Sequence, residues 1–289
     1  MRRDLAPSRA VAREAIAAGL VTVDGAPATK PATQVAAGQA LHLTASPRAY
    51  VSRGGEKLAH ALDRFGVDPA GRRCLDAGVS TGGFTDVLRR RGAAHVDAYD
   101  VGYGQVHERI RTDEGVTVHE RTNVRHLTAE DVTLPAPDLV VVDVSFISLT
   151  VVLGALRAVA ADDAEAVVLV KPQFEAGRGE VGRGGVVRDP QVWRRCLDDV
   201  AQAAAALDWR CAAATASPLT GPAGNVEFLL HLTPGGPVAS SPAPAGSGGA
   251  GEAHDVGGRA LEPAVAARLD AAVAEGVALV ASTAVKGDA

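Results

Sequence analysis

The chain contains the glycine-rich stretch Cys74-Leu75-Asp76-Ala77-Gly78-Val79-Ser80-Thr81-Gly82-Gly83-Phe84. An apolar run leads into the glycines, and a helical pattern follows them. Gly78 allows the backbone to turn and to approach a ligand closely, while Gly82 and Gly83 allow the start of the helix to pack near the strand. The stretch predicts a nucleotide-binding strand–loop–helix unit. The alternative is a glycine-rich turn of an ordinary α/β protein.

Strands and helices alternate along the chain around this unit. The predicted strands are 72–77, 96–100, 116–120, 139–143, 166–171, 210–215 and 226–232, and the predicted helices are 56–65, 82–91, 148–160 and 190–207. The strands are Val- and Leu-rich runs without strict alternation, which is typical of a sheet buried on both faces. We therefore predict an α/β fold with a mostly parallel, doubly wound sheet.

The loop departs from the dinucleotide pattern GxGxxG, because Ser80 stands at the second glycine position. Asp76 would repel a pyrophosphate, but a carboxylate there suits a cation such as the amino group of S-adenosylmethionine. Asp100 ends the next strand and can accept hydrogen bonds from two ribose hydroxyls, which argues against NADP. Asn123 is either an adenine contact or a structural residue. The predicted cofactor-binding residues are Asp76, Gly78, Ser80, Thr81, Gly82, Gly83, Phe84, Asp100, Asn123 and Asp143.

Four polar residues, Lys57, Asp143, Lys171 and Glu227, are the predicted catalytic residues. Asp143 and Lys171 end two predicted strands, and ligands of open α/β sheets bind at the carboxyl ends of strands. Glu227 lies in a further predicted strand, and Lys57 begins the helix before the first strand. Each alone could be an ion-pair or capping residue. Together they suit activation of a ribose 2′-hydroxyl, by a lysine base, by a charged lysine that stabilises an alkoxide, or by positioning alone.

Residues 8–44 are predicted to form a separate small module of a helix, a short strand, a tight Asp24-Gly25 turn and a closing strand. The spacing from Ser8 to Gly25 resembles the S4 RNA-binding domain. S4 domains have another helix before this point, so we expect the module to be N-terminally incomplete. The predicted RNA-binding residues are Arg9, Arg13, Lys30 and Arg53.

Charge is distributed unevenly along the chain. Residues 1–57 carry eight Lys or Arg against four Asp or Glu, whereas residues 58–233 have a net charge of −6 and residues 234–289 of −3. A basic module beside an acidic remainder suggests local contact with phosphate, although chance surface charge explains it equally well.

Composition excludes several classes of protein. There is no run of 18 apolar residues and no secretory signal, so no membrane association is expected. The three cysteines, Cys74, Cys196 and Cys211, lack metal-ligand spacing and suit a reducing cytoplasm.

The glycine-rich segment 176–185, with Arg178 and Arg183, is either a mobile substrate loop or an ordinary connection.

Seven blocks resemble the TlyA family, which pairs an S4 domain with an FtsJ-like, Rossmann-like methyltransferase domain. They are VSRGGEKL, CLDAGVSTGGFTDVL, DVGYGQ, ERTNVR, DVSFISL, VKPQFEAGRGEVG and SPLTGPAGNVEF. The order Lys57, Asp143, Lys171, Glu227 resembles the Lys-Asp-Lys-Glu tetrad of FtsJ-type ribose 2′-O-methyltransferases. The segment 48–51 resembles the family's interdomain hinge.

The resemblance implies S-adenosylmethionine-dependent 2′-O-methylation of cytidine in ribosomal RNA, within ribosomal subunits and without a metal, by a protein that is a monomer when free. It also implies the domain boundaries: 1–45 S4-like, 46–52 linker and 53–233 methyltransferase. Composition predicts that 234–289 is a disordered, Ala-, Gly- and Pro-rich tail with an alanine-rich helix near 261–275. The alternatives are a membrane-active haemolysin, a name also used in the family, a non-catalytic RNA-binding protein, and an NAD-dependent oxidoreductase.

Overall fold

A computed structural model describes residues 5, 12–13, 15–16, 19–43, 50–177, 179–235 and 261–287. The chain divides into two compact units, Met1–Ala49 and Tyr50–Ala289.

The first unit contains a small antiparallel sheet with β1 in the centre. Its strands are β1 (Val21–Val23), β2 (Ala26–Pro27) and β3 (Leu41–Leu43). Asp24 and Gly25 connect β1 to β2 with φ angles of 48° and 83°, which a two-residue hairpin turn requires. The helical residue Ala15 packs on Val21 and Ala28 in a small core. Strand β2 was not predicted from the sequence, and Ser8 lies outside the described residues.

The second unit is built on a seven-stranded sheet in the order β6-β5-β4-β7-β8-β10-β9. Its strands are β4 (Arg73–Ala77), β5 (His95–Asp100), β6 (Val116–Glu120), β7 (Leu139–Val142), β8 (Glu165–Val170), β9 (Trp209–Ala216) and β10 (Phe228–Pro234). The five strands from β6 to β8 are parallel, and β10 runs antiparallel to both of its neighbours. The predicted mostly parallel, doubly wound α/β sheet is confirmed.

Helices cover both faces of this sheet. They are α1 (Gly54–Phe65), α2 (Gly83–Arg90), α3 (Glu108–Arg111), α4 (Leu149–Val159), α5 (Pro172–Glu175), α6 (Pro190–Ala205) and α7 (Pro263–Gly287). Successive residues of β7 point to opposite faces: Leu139 and Val141 join a core with α1 and α2, whereas Val140 and Val142 join a core with α4 and α6. Because β7 is buried on both sides, its sequence is a continuous apolar run.

The chain reverses its order in the sheet between β4 and β7. From β4 it builds outward through β5 and β6, and then it crosses back to β7 on the other side of β4. Open α/β sheets bind ligands at such a switch point, beyond the carboxyl ends of the strands. The fold therefore places the glycine loop after β4 beside Asp143, the residue that follows β7.

The tail agrees with its prediction in part. A disordered tail with an alanine-rich helix near 261–275 was expected over 234–289; the helix is present as the longer α7 (Pro263–Gly287), and Pro234 ends β10. Val265, Leu269, Ala272 and Gly276 recur at helical spacing and are buried, so the helix has one apolar face for the domain to cover. Residues 236–260 lie outside the described part. Among the described helices, none is long and apolar enough to span a bilayer.

Candidate active site

A cavity of about 330 Å³ opens at the carboxyl ends of β4, β5, β6 and β7. Five of the predicted cofactor-binding residues line it: Gly78, Ser80, Asp100, Asn123 and Asp143. Hydrophobic side chains on another wall include Val144, Ile147 and Val152. A mixed polar and apolar pocket at a sheet switch point suits a nucleoside-type ligand.

The glycine loop after β4 lies so close to the end of the neighbouring strand β7 that Gly78 has no room for a side chain. Gly78 has a φ of 96°, and a Cβ there would lie 2.5 Å from the carbonyl oxygen of Asp143. Ser80 also has a positive φ, of 48°, and its backbone N–H donates to Asp100 Oδ2 at 2.7 Å. The N–H of Gly102 donates to Asp100 Oδ1 at 2.7 Å. These bonds fix the Asp100 carboxylate at the cavity wall, where each oxygen can accept a further hydrogen bond.

Asp76 lies in the core below this loop rather than on the cavity wall. Its side chain is completely buried, and Oδ2 accepts a 2.6 Å hydrogen bond from Thr85 Oγ1. Within the described part of the chain, Oδ1 has no hydrogen-bond partner. Burial, with smaller contributions from the charges of Asp143 and Asp100, raises the pKa of Asp76 to about 7, although the hydrogen bonds from Thr85 act to lower it. An acceptor left unpaired in the core is costly unless a ligand or donor satisfies it.

The remaining predicted cofactor-binding residues do not line the cavity. Phe84 is buried in the core between α1 and α2, and Thr81 is exposed. A Cβ on Gly82 would lie 2.7 Å from Ile110, and one on Gly83 would lie 2.2 Å from Ser52 Oγ, so both glycines permit close packing.

Asn123 lines the cavity, and its side-chain oxygen also accepts a hydrogen bond from the backbone N–H of Arg125.

The four predicted catalytic residues form two ion pairs. Lys171 Nζ lies 2.6 Å from Asp143 Oδ1 and donates to Ser145 Oγ at 2.8 Å. Lys57 Nζ donates to Glu227 Oε2, and both residues are buried. The two pairs are neighbours, because a Cβ on Gly54, one turn before Lys57, would lie 3.7 Å from Asp143 Oδ2.

Glu227 reaches the site from the residue before β10, not from within a strand as predicted. Phe228 begins β10 opposite Val170, the last residue of β8. Because β10 is antiparallel to β8, its first residues lie at the edge where the parallel strands end. The start of one strand therefore supplies Glu227 to the same edge as Lys171.

The predicted RNA-binding residues occupy different places. Arg13 and Lys30 are exposed in the first unit, and Arg9 lies outside the described residues. Arg53 belongs to the second unit, where its guanidinium donates to the carbonyl of Thr220 at 3.0 Å in the loop that leads to Glu227. The contact of Arg53 is thus with the candidate catalytic region.

Three residues near the site were missed. Ser145 contacts Lys171, and Glu175 accepts hydrogen bonds from Ser148 Oγ and the N–H of Leu149, which ties the segment after β8 to the start of α4. Phe146 is 91% exposed at a φ of 65° and contacts Phe174 at a ring distance of 5.1 Å. An aromatic residue and hydroxyls directly after Asp143 were the available signal.

Among the described residues, no group of histidine, cysteine, aspartate and glutamate side chains could hold a metal ion. The three cysteines are buried and unpaired with one another, and burial raises the pKa of each thiol.

Comparison with known proteins places this arrangement in a family. Residues 50–233 match the FtsJ-like methyltransferase model, and residues 2–41 match the S4 domain. A Mycobacterium tuberculosis protein described as the 16S/23S rRNA (cytidine-2′-O)-methyltransferase TlyA is 57% identical over 233 residues, which are 80% of this chain and 87% of that protein. Hemolysin A of Brachyspira hyodysenteriae is 37% identical over 78% of this chain and 93% of its own length.

A solved structure described as a haemolysin of Streptococcus thermophilus agrees with the fold. It has a TM-score of 0.68 and 38% identity, and the match covers 81% of this chain and 85% of that one. The sheet order, the cleft at the switch point and the family match define a Rossmann-like methyltransferase. The chain belongs to the TlyA family, in which an S4 domain precedes an FtsJ-like methyltransferase domain.

Proposed function

We propose that this protein transfers a methyl group from S-adenosylmethionine to the ribose 2′-hydroxyl of a cytidine in ribosomal RNA. The observation that carries the proposal is the pair of buried lysine–carboxylate contacts beside a nucleoside-sized cavity. The name of the M. tuberculosis relative, at 57% identity, supports cytidine in 16S and 23S RNA as the target.

The residues present fit S-adenosylmethionine. Asp100 offers a fixed carboxylate for ribose hydroxyls, Gly78 leaves the loop open to a closely approaching ligand, and the unpaired Oδ1 of Asp76 supplies a negative centre below the loop. When bound, this cofactor supplies an electrophilic methyl group on a sulfonium. We assign cofactor binding to the predicted residues that line the cavity, with Asp76 acting from beneath it.

Lys171 has the central part in the reaction. Its ammonium is held by Asp143 and Ser145 at the cavity rim, where it can orient the 2′-oxygen and stabilise negative charge that develops as the O–H proton leaves. Methyl transfer would form a C–O bond from a lone pair of the 2′-oxygen as the C–S bond of the cofactor is broken with its electron pair left on sulfur, and the hydroxyl proton would be released to water. The Lys57–Glu227 pair is buried beside this site, and we assign it to positioning the groups around the reacting oxygen.

The partners follow from this chemistry. We propose that Arg13, Lys30 and Arg9 of the S4 unit, together with Arg53, bind ribosomal RNA within a ribosomal subunit. The free protein is proposed to be a cytoplasmic monomer, which sedimentation of the purified protein would test.

The function is tested by incubating the protein with methyl-labelled S-adenosylmethionine and separate, unmodified 30S and 50S subunits. We expect label in RNA that resists alkaline hydrolysis at one cytidine in each methylated subunit, because 2′-O-methylation blocks attack on the neighbouring phosphate. Label on a base, or no transfer to either subunit by a protein that binds the cofactor, would refute the proposal.

A further inference from the structure

The C-terminal helix α7 packs across the edge of the sheet formed by β9. Its first half faces the α6 side, where Leu269 and Ala272 are fully buried and Arg194 of α6 contacts Asp270 at 2.7 Å. Its second half reaches α1, which lies on the opposite face, through Arg64 and Glu275 at 2.8 Å. The helix therefore connects both faces of the domain over its exposed edge.

Glu275 joins two elements that lead to candidate catalytic residues. Its Oε2 accepts hydrogen bonds from Thr215 Oγ1 at 2.7 Å and from the N–H of Ala216 at 3.0 Å, at the end of β9. Its Oε1 accepts from Arg64, which lies on α1 two turns after Lys57. One carboxylate thus ties the end of β9 to the helix that carries Lys57.

The backbone around Glu227 is held by the same contacts. Ala216 pairs with Phe228, and the N–H of the next residue, Ser217, donates to the carbonyl of Glu227 at 2.8 Å. Gly276, beside Glu275, approaches from the helix: a Cβ there would lie 3.0 Å from Val226 and 3.1 Å from the Phe228 ring. The two side chains that flank Glu227 therefore pack directly on α7.

We propose that α7 positions the Lys57–Glu227 pair and that Glu275 is the positioning residue. Glu275 contacts neither lysine nor the cavity; it acts by fixing α1 and the β9–β10 connection relative to each other. The inference rests on the proposed methyl transfer for its kinetic readout. The proposal therefore gives α7, which packs along the β9 edge of the sheet, a part in catalysis.

The test compares Glu275→Gln with Asp270→Asn in the full-length protein. Both substitutions remove a carboxylate of α7 that pairs with an arginine, but only Glu275 is bonded to elements that lead to Lys57 and Glu227. We expect Glu275→Gln to lower kcat about tenfold and to leave the KM for the ribosomal subunit and the Kd for S-adenosylmethionine unchanged. The reason is that loss of the carboxylate would misplace Lys57 and Glu227 without blocking either ligand. Asp270→Asn should stay within twofold of wild type.

A second comparison separates positioning from a general structural effect. If Glu275 acts through Glu227, then adding Glu275→Gln to Glu227→Gln should cause no further loss of single-turnover rate. A further tenfold loss in the double variant, or equal losses in Glu275→Gln and Asp270→Asn, would overturn the proposal.

Hydrogen exchange gives a readout that does not depend on activity. The Ser217 amide and the first turns of α1 should exchange faster in Glu275→Gln than in wild type, and should be unchanged in Asp270→Asn. Unchanged exchange at both places in Glu275→Gln would overturn the positioning role of Glu275. Failure of the wild-type protein to methylate either subunit would instead refute only the proposed function.

Discussion

Asp76 is a carboxylate in the core with one unpaired oxygen and a pKa raised to about 7 by burial. The folded state thus holds the Asp76 proton more tightly than the unfolded state. The stability that protonated Asp76 gives to the folded state is fully present below pH 3.8, the ordinary pKa of an aspartate side chain. It is lost as the pH rises through the folded-state pKa of about 7. Above that range the fold contains a buried charge that needs a cationic or hydrogen-bond-donating ligand.

We predict that Asp76→Asn stabilises the ligand-free protein more at pH 8 than at pH 5, by a difference on the order of 2 kcal/mol in the free energy of unfolding. The same variant should bind S-adenosylmethionine at least about tenfold more weakly, because it lacks the negative charge beneath the loop. Urea unfolding at the two pH values and calorimetric titration measure both effects. Reduced stability at pH 8 together with unchanged cofactor affinity would show that Asp76 is only structural.

Lys171 is held between Asp143 and Ser145 at the rim of the cavity and is itself buried. We predict that Lys171→Ala lowers kcat by about 10²–10⁴, the range for loss of a group that assists proton transfer or charge stabilisation, while cofactor affinity stays within about threefold. Single-turnover methylation and calorimetry measure these quantities.

Ser145→Ala serves as the matched control for Lys171, because it removes the hydroxyl partner and keeps the ammonium. We expect a loss of about tenfold or less, since the ion pair with Asp143 remains. Normal turnover by Lys171→Ala would remove Lys171 from the chemistry.

Sequence reasoning at the residue scale works where a polar residue ends an apolar strand. Asp143 and Lys171 were predicted to meet on that basis, and they form an ion pair. It does not work where burial is set by tertiary packing. Asp76 was expected to face the ligand directly, and Phe84 to contact it, yet both side chains are buried: Asp76 accepts a hydrogen bond from Thr85 of α2, and Phe84 packs in the core with α1.

At the scale of elements, the contact between α1 and α2 depends on Gly83. A Cβ at this position would lie 2.2 Å from Ser52 Oγ and 2.8 Å from the backbone nitrogen of Gly55. We predict that Gly83→Ala destabilises the protein by about 1–3 kcal/mol, the cost of overpacking a site that cannot expand. It should also reduce methyl transfer, because α1 carries Lys57.

Gly154 provides the matched control for Gly83. It lies within α4, and a Cβ there would meet nothing within 4 Å. Gly154→Ala should therefore raise the free energy of unfolding by about 0.5–1 kcal/mol through helix propensity. Thermal unfolding of the two variants gives opposite shifts if this account is correct, whereas shifts of the same sign would contradict it.

The sequence was informative about long elements and poor for short ones. The continuous apolar runs of β7 and β8 were predicted within one residue of their bounds. The four-residue helices α3 and α5 were missed, because a single turn has no apolar periodicity to detect. The start of β10 was placed two residues early, since Val226 and Phe228 are both buried although only Phe228 belongs to the strand.

At the scale of the whole molecule, the proposed function gives each of the two units a different task. The first unit presents exposed Arg13 and Lys30, and the second contains the cavity and both lysine–carboxylate pairs. Residues 1–57 have a net charge of +4 and the remainder has −9, an asymmetry that suggests this division but that chance surface charge explains equally well. In the tail, composition predicted the alanine-rich helix near 261–275 but not its packing against β9 and α6, which depends on tertiary contacts.

The charges of the S4 unit should control how strongly ribosomal RNA binds and how that binding depends on salt. Arg13→Gln combined with Lys30→Gln removes two exposed cations, so the slope of log K against log salt should become shallower by about 1.4–1.8. We expect the affinity for the subunit to fall about tenfold near 0.1 M salt, with the affinity for S-adenosylmethionine unchanged. Arg210→Gln, an exposed cation on the edge strand β9, is the control and should leave the slope unchanged. Equal slopes in wild type and the double variant would show that these two residues do not contact phosphate.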